Sequence, residues 1–172
     1  MIVEKGRQAI LLAGLVLLLG GCQKKMVPAG VTGYNHMKER AIADFTVNGA
    51  IGSNLNPGSG GGGESCCVSI PAKWRPGLKA TVAWVYDRDQ GDTRPLPPAQ
   101  NLVVDIPQYK TPGNFHVHFY ENHKIKVIIS GCSIGHPFYP MSKVDKLPWV
   151  DDMTKEDALE SQKKGGMKND CA

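Results

Sequence analysis

The sequence lacks any apolar run long enough to cross a membrane as a helix. Its longest uncharged apolar stretch covers residues 9–19, whereas a membrane-spanning helix needs roughly 20 residues. A run this short near the N-terminus, preceded by Lys5 and Arg7, is typical of the apolar part of an export signal. The sequence therefore predicts an exported protein with no membrane-spanning helix.

Clustered positive charge is also missing. The chain has 20 Lys and Arg residues against 16 Asp and Glu residues, for a formal net charge of +4, and the basic residues are spread along it. Proteins that bind nucleic acids usually carry their basic residues in one stripe or patch. We therefore expect no nucleic-acid partner.

Aromatic residues make up only 7% of the chain, while glycine (20 residues) and proline (12 residues) are abundant. Long helical patterns are rare, and no internal repeat is present. Such a composition is typical of a loop-rich β domain. We predict a mainly β protein: a single β-sandwich-like domain with long loops and one short C-terminal helix.

Alternating apolar and polar residues mark the strands. Residues 78–86 show the clearest period of two, and residues 115–120 and 124–130 are predicted to pair as a hairpin. Further strands are predicted over residues 45–48, 67–70 and 102–106. The C-terminal helix is predicted over residues 152–164, with Thr154 as its N-cap and Gly165 as its stop signal.

The apolar run ends in Leu19-Gly20-Gly21-Cys22. Two small residues before a cysteine let a peptidase reach the backbone, and the thiol is the atom that would carry lipid. The segment resembles a bacterial lipoprotein signal. The resemblance implies cleavage before Cys22 and lipidation of its thiol, with palmitate among the acyl chains, and two or three chains anchor a protein stably.

Sorting and domain boundaries follow from this signal. Gln23 and Lys24, rather than an aspartate, follow Cys22, which by resemblance to lipoprotein sorting in Gram-negative bacteria implies the outer membrane, facing the periplasm. We predict a signal peptide over residues 1–21, a lipidated N-terminus and tether over 22–44, the β domain over 45–150, and a helix and tail over 151–172. The glycine-rich residues 49–63 are predicted to be flexible.

Four cysteines remain after Cys22. An even number in an oxidising compartment suggests disulfides. Adjacent residues of a strand point to opposite faces, and a bridge between them closes a strained ring of eight atoms. We therefore expect Cys66 and Cys67 to bond to Cys132 and Cys171, in either pairing. A metal-thiolate site is not expected, because no C-x-x-C spacing is present.

Two motifs suggest chemistry only weakly. Residues 131–135 match the G-x-S-x-G nucleophile elbow around Ser133, which needs a helix directly after the serine. The prolines at positions 137 and 140 oppose such a helix, so we interpret Ser133 as a turn residue beside a disulfide. His116 and His118 share one strand face and are weak zinc candidates, with His123 or His136 as a third ligand; the alternative is the polar face of a hairpin.

Two further patterns resemble ligand-binding motifs but lack residues that those motifs require. The glycine run at residues 60–63 lacks the Gly-Lys-Ser/Thr ending of a phosphate-binding loop. The acidic cluster Asp87, Asp89 and Asp92 lacks the spacing of a calcium loop, and Arg88 and Arg94 balance its charge. We expect no catalytic residue, no cofactor and no metal, and hence no enzyme.

One longer pattern is specific. It combines the glycine run, a Cys-Cys pair and a Trp-Arg-Pro-Gly turn before a strand, followed later by a Gly-Cys turn with a Pro-x-x-Pro element. These features lie at residues 60–63, 66–67, 74–77, 131–132 and 137–140. The pattern resembles a family of uncharacterised proteobacterial lipoproteins, and the resemblance spans roughly residues 45–148.

The resemblance also implies a function. Members of that family are often encoded beside phospholipase effectors of type VI secretion systems, and some resemble their immunity proteins. It implies a protein that binds and inhibits such a phospholipase. We expect the contacts to come from the glycine-rich segment and from the loop at residues 87–98, where the candidates are Asp87, Arg88, Asp89, Asp92 and Arg94. The alternatives are a structural or assembly lipoprotein that binds envelope components, and an inhibitor of another envelope-attacking enzyme.

Overall fold

The computed structural model describes residues 25–142, except positions 62, 64, 89, 90, 92 and 137, and six residues beyond them: Glu156, Asp157, Glu160, Lys163, Lys164 and Cys171. The described residues form nine strands: β1 Met26–Asn35, β2 Ala41–Val47, β3 Ala50–Ile51, β4 Ser59–Gly60, β5 Ser65–Pro71, β6 Lys79–Asp87, β7 Gln100–Asp105, β8 Asn114–Phe119 and β9 Ile125–Ser130.

The strands form two sheets. Sheet I has the order β4-β1-β8-β9, and β5 also pairs with β1. Sheet II has the order β3-β2-β6-β7. The pair β1–β8 is parallel, and the other pairs are antiparallel. Strand β1 therefore lies inside sheet I, with strands on both of its edges.

The main core lies between the two sheets. Ala80, Val82, Trp84 and Tyr86 of β6 are buried, while the residues between them are exposed or half-buried, as the period of two predicts. The Phe119 ring packs edge-to-face on Phe45 and Trp84, with ring centroids 5.2 Å and 5.5 Å apart. Such contacts stabilise beyond the burial of apolar area.

The predicted fold class is confirmed. The protein is mainly β, and its two sheets pack as a sandwich in one domain. The predicted strands are found in β2, β5, β6 and β7, and the predicted hairpin is the antiparallel pair β8–β9. At its turn, Asn122 and His123 adopt left-handed φ angles of 59° and 58°.

The predicted tether is wrong between residue 26 and residue 44. This segment contains all of β1 and the start of β2, so the β domain begins at Met26 and not at residue 45. Val31 is fully buried and Ala29 is 2% exposed, because β1 pairs with β5 and β4 on one edge and β8 on the other. The sequence does not predict this strand because it contains Pro28, Gly30 and Gly33, and these residue types are depleted in strands.

The glycine-rich residues 49–63 are more ordered than predicted. They contain β3 and β4, and between them Leu55 forms an isolated bridge with Ile42 and is 5% exposed. Gly60 has a φ of 153°, and a Cβ there would lie 2.6 Å from the Tyr34 Cα. Glycine at this position therefore allows the segment to lie directly on β1.

The predicted C-terminal helix falls mostly outside the described residues. Of its span, Glu156, Asp157, Glu160 and Lys163 are described and helical, and the Lys164 N–H donates to the Glu160 carbonyl at 3.1 Å. The described part of the chain contains no helix long and apolar enough to span a membrane.

Candidate functional site

The outer face of sheet I carries a second, polar core. His116 and His118 lie on the polar face of the predicted hairpin, and they are 3% and 0% exposed. The chain after β9 covers this face with Ile134 and Tyr139. The polar face of the hairpin is therefore buried under protein.

One chain of hydrogen bonds runs through this second core. The His36 Nε2 lies 2.9 Å from the His118 Nδ1, and the His118 Nε2 lies 2.8 Å from the Tyr139 hydroxyl. The same hydroxyl lies 2.8 Å from the His116 Nδ1. Four side chains from three segments of the chain are thus linked in the order His36, His118, Tyr139, His116.

Ring stacking supports the same groups. The His118 ring stacks on Tyr34 with centroids 4.7 Å apart, and the His36 ring stacks on Tyr120 at 4.4 Å. The His116 and Tyr139 rings are nearly parallel, with centroids 5.4 Å apart. Stacking fixes the ring planes, so the hydrogen-bonding nitrogens are held in place.

The chain allows only two fully bonded proton arrangements while its imidazoles are neutral. The Tyr139 hydroxyl has one proton, so it donates to one imidazole and accepts from the other. If His118 donates to Tyr139, then Tyr139 donates to His116, and His36 donates to His118. In the reverse arrangement His116 donates to Tyr139, Tyr139 to His118, and His118 to His36. The Nε2 of His116 is protonated in the first arrangement and carries a lone pair in the second.

Burial keeps His116, His118 and Tyr139 uncharged at neutral pH. Desolvation lowers the pKa of His116 to about 4. Desolvation, and then the neighbouring His36, His116 and Lys126, lower the pKa of His118 even further. Burial, with Tyr34 and Tyr120 nearby, raises the pKa of the Tyr139 hydroxyl. Because a charge in this core costs free energy, these three groups are present as neutral hydrogen-bonded side chains.

The structure does not bring the weak zinc candidates His116 and His118 together with either of the third ligands considered for them. The proposed third ligands lie elsewhere: the His123 Nδ1 is 2.8 Å from the Tyr86 hydroxyl, and the His136 Nδ1 is 3.1 Å from the Cys171 Sγ. Within the described residues, one group offers three ligand atoms close together, namely Cys132, His136 and Cys171. The two cysteine sulfurs of this group form a disulfide with each other. Disulfide sulfurs are poor metal ligands compared with thiolates.

A cleft of about 410 Å³ opens beside this network. Its described lining is uncharged and rich in hydroxyl, amide and glycine groups: Thr32, Tyr34, Gly61, Gly63, Asn114, His116, Gly131, Cys132 and Ser133. Ser133 lies in a turn, where its carbonyl accepts from the His136 N–H at 3.0 Å. Among the described residues after Ser133, up to Ser142, no helix follows, so the serine is not presented as in a nucleophile elbow.

The predicted disulfide pairing is wrong. Cys66 bonds to Cys67, and Cys132 bonds to Cys171. Cys66 and Cys67 lie on β5, whereas Cys132 follows β9, and β1 and β8 lie between those strands. Strands β5 and β9 are therefore three strand spacings, or about 14 Å, apart, and a disulfide bridges Cα atoms that are at most roughly 7 Å apart.

The predicted partner-binding loop is exposed where it is described. Asp87 ends β6, and both Asp87 and Arg88 are exposed; Asp89 and Asp92 lie outside the described residues. The Arg94 guanidinium pairs with the Glu39 carboxylate at 2.6 Å. Cys22 also lies outside the described residues, so the structure places no part of the predicted anchor.

Sequence reasoning missed most of the buried network. Tyr34 and His36 lie in the segment assigned to the tether, and Tyr139 lies between prolines in an assumed loop. The one available signal was His36 itself, since it follows Tyr34 with a spacing of two, as His118 follows His116. Their pairing depends on the parallel register Tyr34↔His118, which local patterns do not reveal.

Comparison with known proteins gives one family. A family model described as "Protein of unknown function (DUF3304)" matches residues 34–127, which is more than half of the chain. The match covers β2 to β8 and part of β9, and so most of both sheets. No curated protein and no solved structure matches the chain.

Proposed function

We propose that this chain, which belongs to the family of proteins of unknown function DUF3304, acts by binding and not by catalysis. The proposed molecule is a lipoprotein anchored in the outer membrane through Cys22 and facing the periplasm. Its proposed role is that of an immunity protein, which binds a phospholipase effector of type VI secretion and blocks its activity.

The main support for this proposal is the exposed, charged loop after β6, which is held at its C-terminal end by hydrogen bonds and an ion pair. Besides its ion pair, Arg94 donates from Nη2 to the Glu39 carbonyl at 3.0 Å, and Arg40 donates to the Pro95 carbonyl at 3.4 Å. These contacts tie the loop to the turn before β2, while Asp87 and Arg88 remain exposed. A surface held in place loses less conformational entropy on binding, which favours affinity.

The buried network supports the same proposal. Each of His116, His118 and Tyr139 is hydrogen-bonded to another member of the chain. These hydrogen bonds hold Tyr139, and with it the segment after β9, on sheet I. An inhibitor requires such a rigid scaffold, with loops that cover the entrance of an enzyme, and needs no reactive group of its own.

Anchoring fits the proposed target. A phospholipase delivered to the periplasm attacks the membrane leaflets at which a lipidated Cys22 would hold this protein. Restricting the inhibitor to that surface raises its effective concentration against an enzyme that works there.

The proposal is tested by binding between the full chain and the product of the gene adjacent to its own, which is assayed for phospholipase activity with and without the chain. We expect a stoichiometric complex. Reversing one exposed loop charge, Arg88→Glu, is expected to weaken binding roughly tenfold, mainly through slower association. The matched control is Lys110→Glu, since Lys110 is also exposed but lies on another loop, the one that precedes β8.

Two outcomes would count against the proposal. If the full chain with both disulfides formed does not bind the phospholipase, an immunity role is wrong. If Arg88→Glu and Lys110→Glu weaken binding equally, the loop after β6 is not the contact surface, and the carrying observation fails.

A further inference from the structure

Exposed apolar side chains concentrate at one edge of sheet II. Of the six large apolar residues exposed among the described residues, four lie on β6, on β7 or in the loop between them: Val85, Leu96, Leu102 and Val103. Strand β7 ends sheet II, and none of its six residues is fully buried. This edge is therefore accessible along the whole strand.

Apart from the charge of Asp105 at its end, strand β7 carries none of the usual protection of an edge. Natural edge strands are blunted by proline, by lysine, by a bulge or by being very short. The sequence of β7 is QNLVVD, and its pairing with β6 shows no register shift. At the other edge of sheet II, β3 has only two residues. The long free edge of this sheet is thus β7.

The backbone groups that face away from the sheet can be assigned. The Ile106 N–H donates to the Leu78 carbonyl at 2.9 Å, so Ile106 points its backbone groups toward β6. Because these groups alternate along an antiparallel strand, Val104 and Leu102 also bond toward β6. The N–H and C=O groups of Asn101, Val103 and Asp105 therefore point outward, to the free edge.

These outward groups are self-complementary. In a two-fold antiparallel pairing centred on Val103, the Val103 residues of two copies exchange both backbone hydrogen bonds. Asn101 of one copy then lies opposite Asp105 of the other, so a carboxylate faces an amide and not a second carboxylate. A register centred on Asp105 would place like charges opposite each other, which is unfavourable.

We propose that β7 pairs with β7 of a second copy of this chain. The pairing joins two four-stranded sheets II into one continuous eight-stranded sheet. It buries the side chain of Val103, which is 64% exposed, against its equivalent across the two-fold axis. This inference is independent of the proposed immunity role, because it depends only on the edge of sheet II.

The test measures the mass of the purified full chain in a mild detergent by sedimentation equilibrium over a range of concentrations. We expect a monomer–dimer equilibrium in the native protein. Val103→Lys places two ammonium groups together at the two-fold axis, and it is expected to weaken dimerisation at least tenfold. Ile51→Lys is the matched control, since Ile51 is also 64% exposed but lies at the opposite edge of sheet II.

A cross-linking measurement gives an independent readout. Val103→Cys is expected to cross-link to a second copy with a short bis-maleimide, and Ile51→Cys is expected not to. Circular dichroism of each variant checks that the sandwich is intact. A monomeric native protein at every concentration would overturn the proposal, and so would equal dimerisation of the two lysine variants. If Val103→Lys instead weakens only binding to the phospholipase, the edge accepts a foreign strand and self-pairing is wrong.

Discussion

The buried polar chain depends on a single hydroxyl, that of Tyr139, which serves two imidazoles at once. Tyr139→Phe removes that hydroxyl and leaves one nitrogen of His116 and one of His118 without their bonds. We expect the free energy of unfolding to fall by about 1–3 kcal/mol for each buried group left unpaired, measured by urea denaturation. Tyr86→Phe is the comparison, since its hydroxyl serves one histidine. A loss no larger than that of Tyr86→Phe would contradict the account of the network.

Acid should destabilise the folded protein through the same histidines. The pKa of His116 is about 4 in the folded state, against 6.5 for an ordinary histidine, so the unfolded chain binds this proton first. Its contribution to stability is complete above pH 6.5 and is lost as the pH falls toward 4. We expect a loss of about 2 kcal/mol between pH 7 and pH 5 from His116 alone, and more with His118.

Denaturation curves at a series of pH values check this sign. Replacing His116 with Gln, which does not titrate, should reduce the loss between pH 7 and pH 5 by about 2 kcal/mol and leave the part that His118 contributes. Stability that is constant over that range in the native protein would mean that these imidazoles are not desolvated in solution.

At the scale of elements, the strands differ in how well local patterns reveal them. The local sequence predicts strand β6, because Val82, Trp84 and Tyr86 alternate with smaller or polar residues. Strand β1 does not, because both of its faces are covered and its sequence contains Pro28 and two glycines. Its identity as a strand comes from partners more than thirty residues away, such as Val68 and Phe115, and no local pattern records them.

The cysteines show the same limit. Their number predicts disulfides, but the pairing depends on the order of strands in sheet I, which places β5 three positions from β9. The vicinal bridge forms although adjacent residues of a strand point to opposite faces, and Cys132 bonds to Cys171 instead. The histidine pair likewise has the predicted shared face, but residues 131–142 cover it.

The two disulfides are expected to differ in their effect on stability. The Cys132–Cys171 bridge spans a separation of 39 residues, and removing it with Cys132→Ala and Cys171→Ala should cost about 4 kcal/mol in the chain-entropy model. The Cys66–Cys67 bridge closes almost no loop, so the matched double alanine variant should lose clearly less. Urea denaturation of both double variants measures this difference. A larger loss of unfolding free energy on removing the Cys66–Cys67 bridge would contradict the expectation that the Cys132–Cys171 bridge stabilises the fold more.

For the whole molecule, the lipid anchor is the first feature to test. The native chain should incorporate labelled palmitate and sediment with membranes. Cys22→Ser removes the thiol that carries the lipid, and we expect loss of both the label and membrane association. Labelling that persists in Cys22→Ser would show that the lipoprotein signal has been misinterpreted. The variant should keep both disulfides, since Cys22 lies outside the described sandwich.

The central claim is that this sandwich inhibits a phospholipase by binding it. The most direct measurement is a titration of the phospholipase activity of the product of the gene adjacent to its own, with increasing amounts of the full, disulfide-bonded chain. The account predicts that activity falls linearly to zero at a fixed molar ratio, and that Arg88→Glu shifts the curve while Lys110→Glu does not. Activity that is unchanged at a molar excess of the native chain would contradict it.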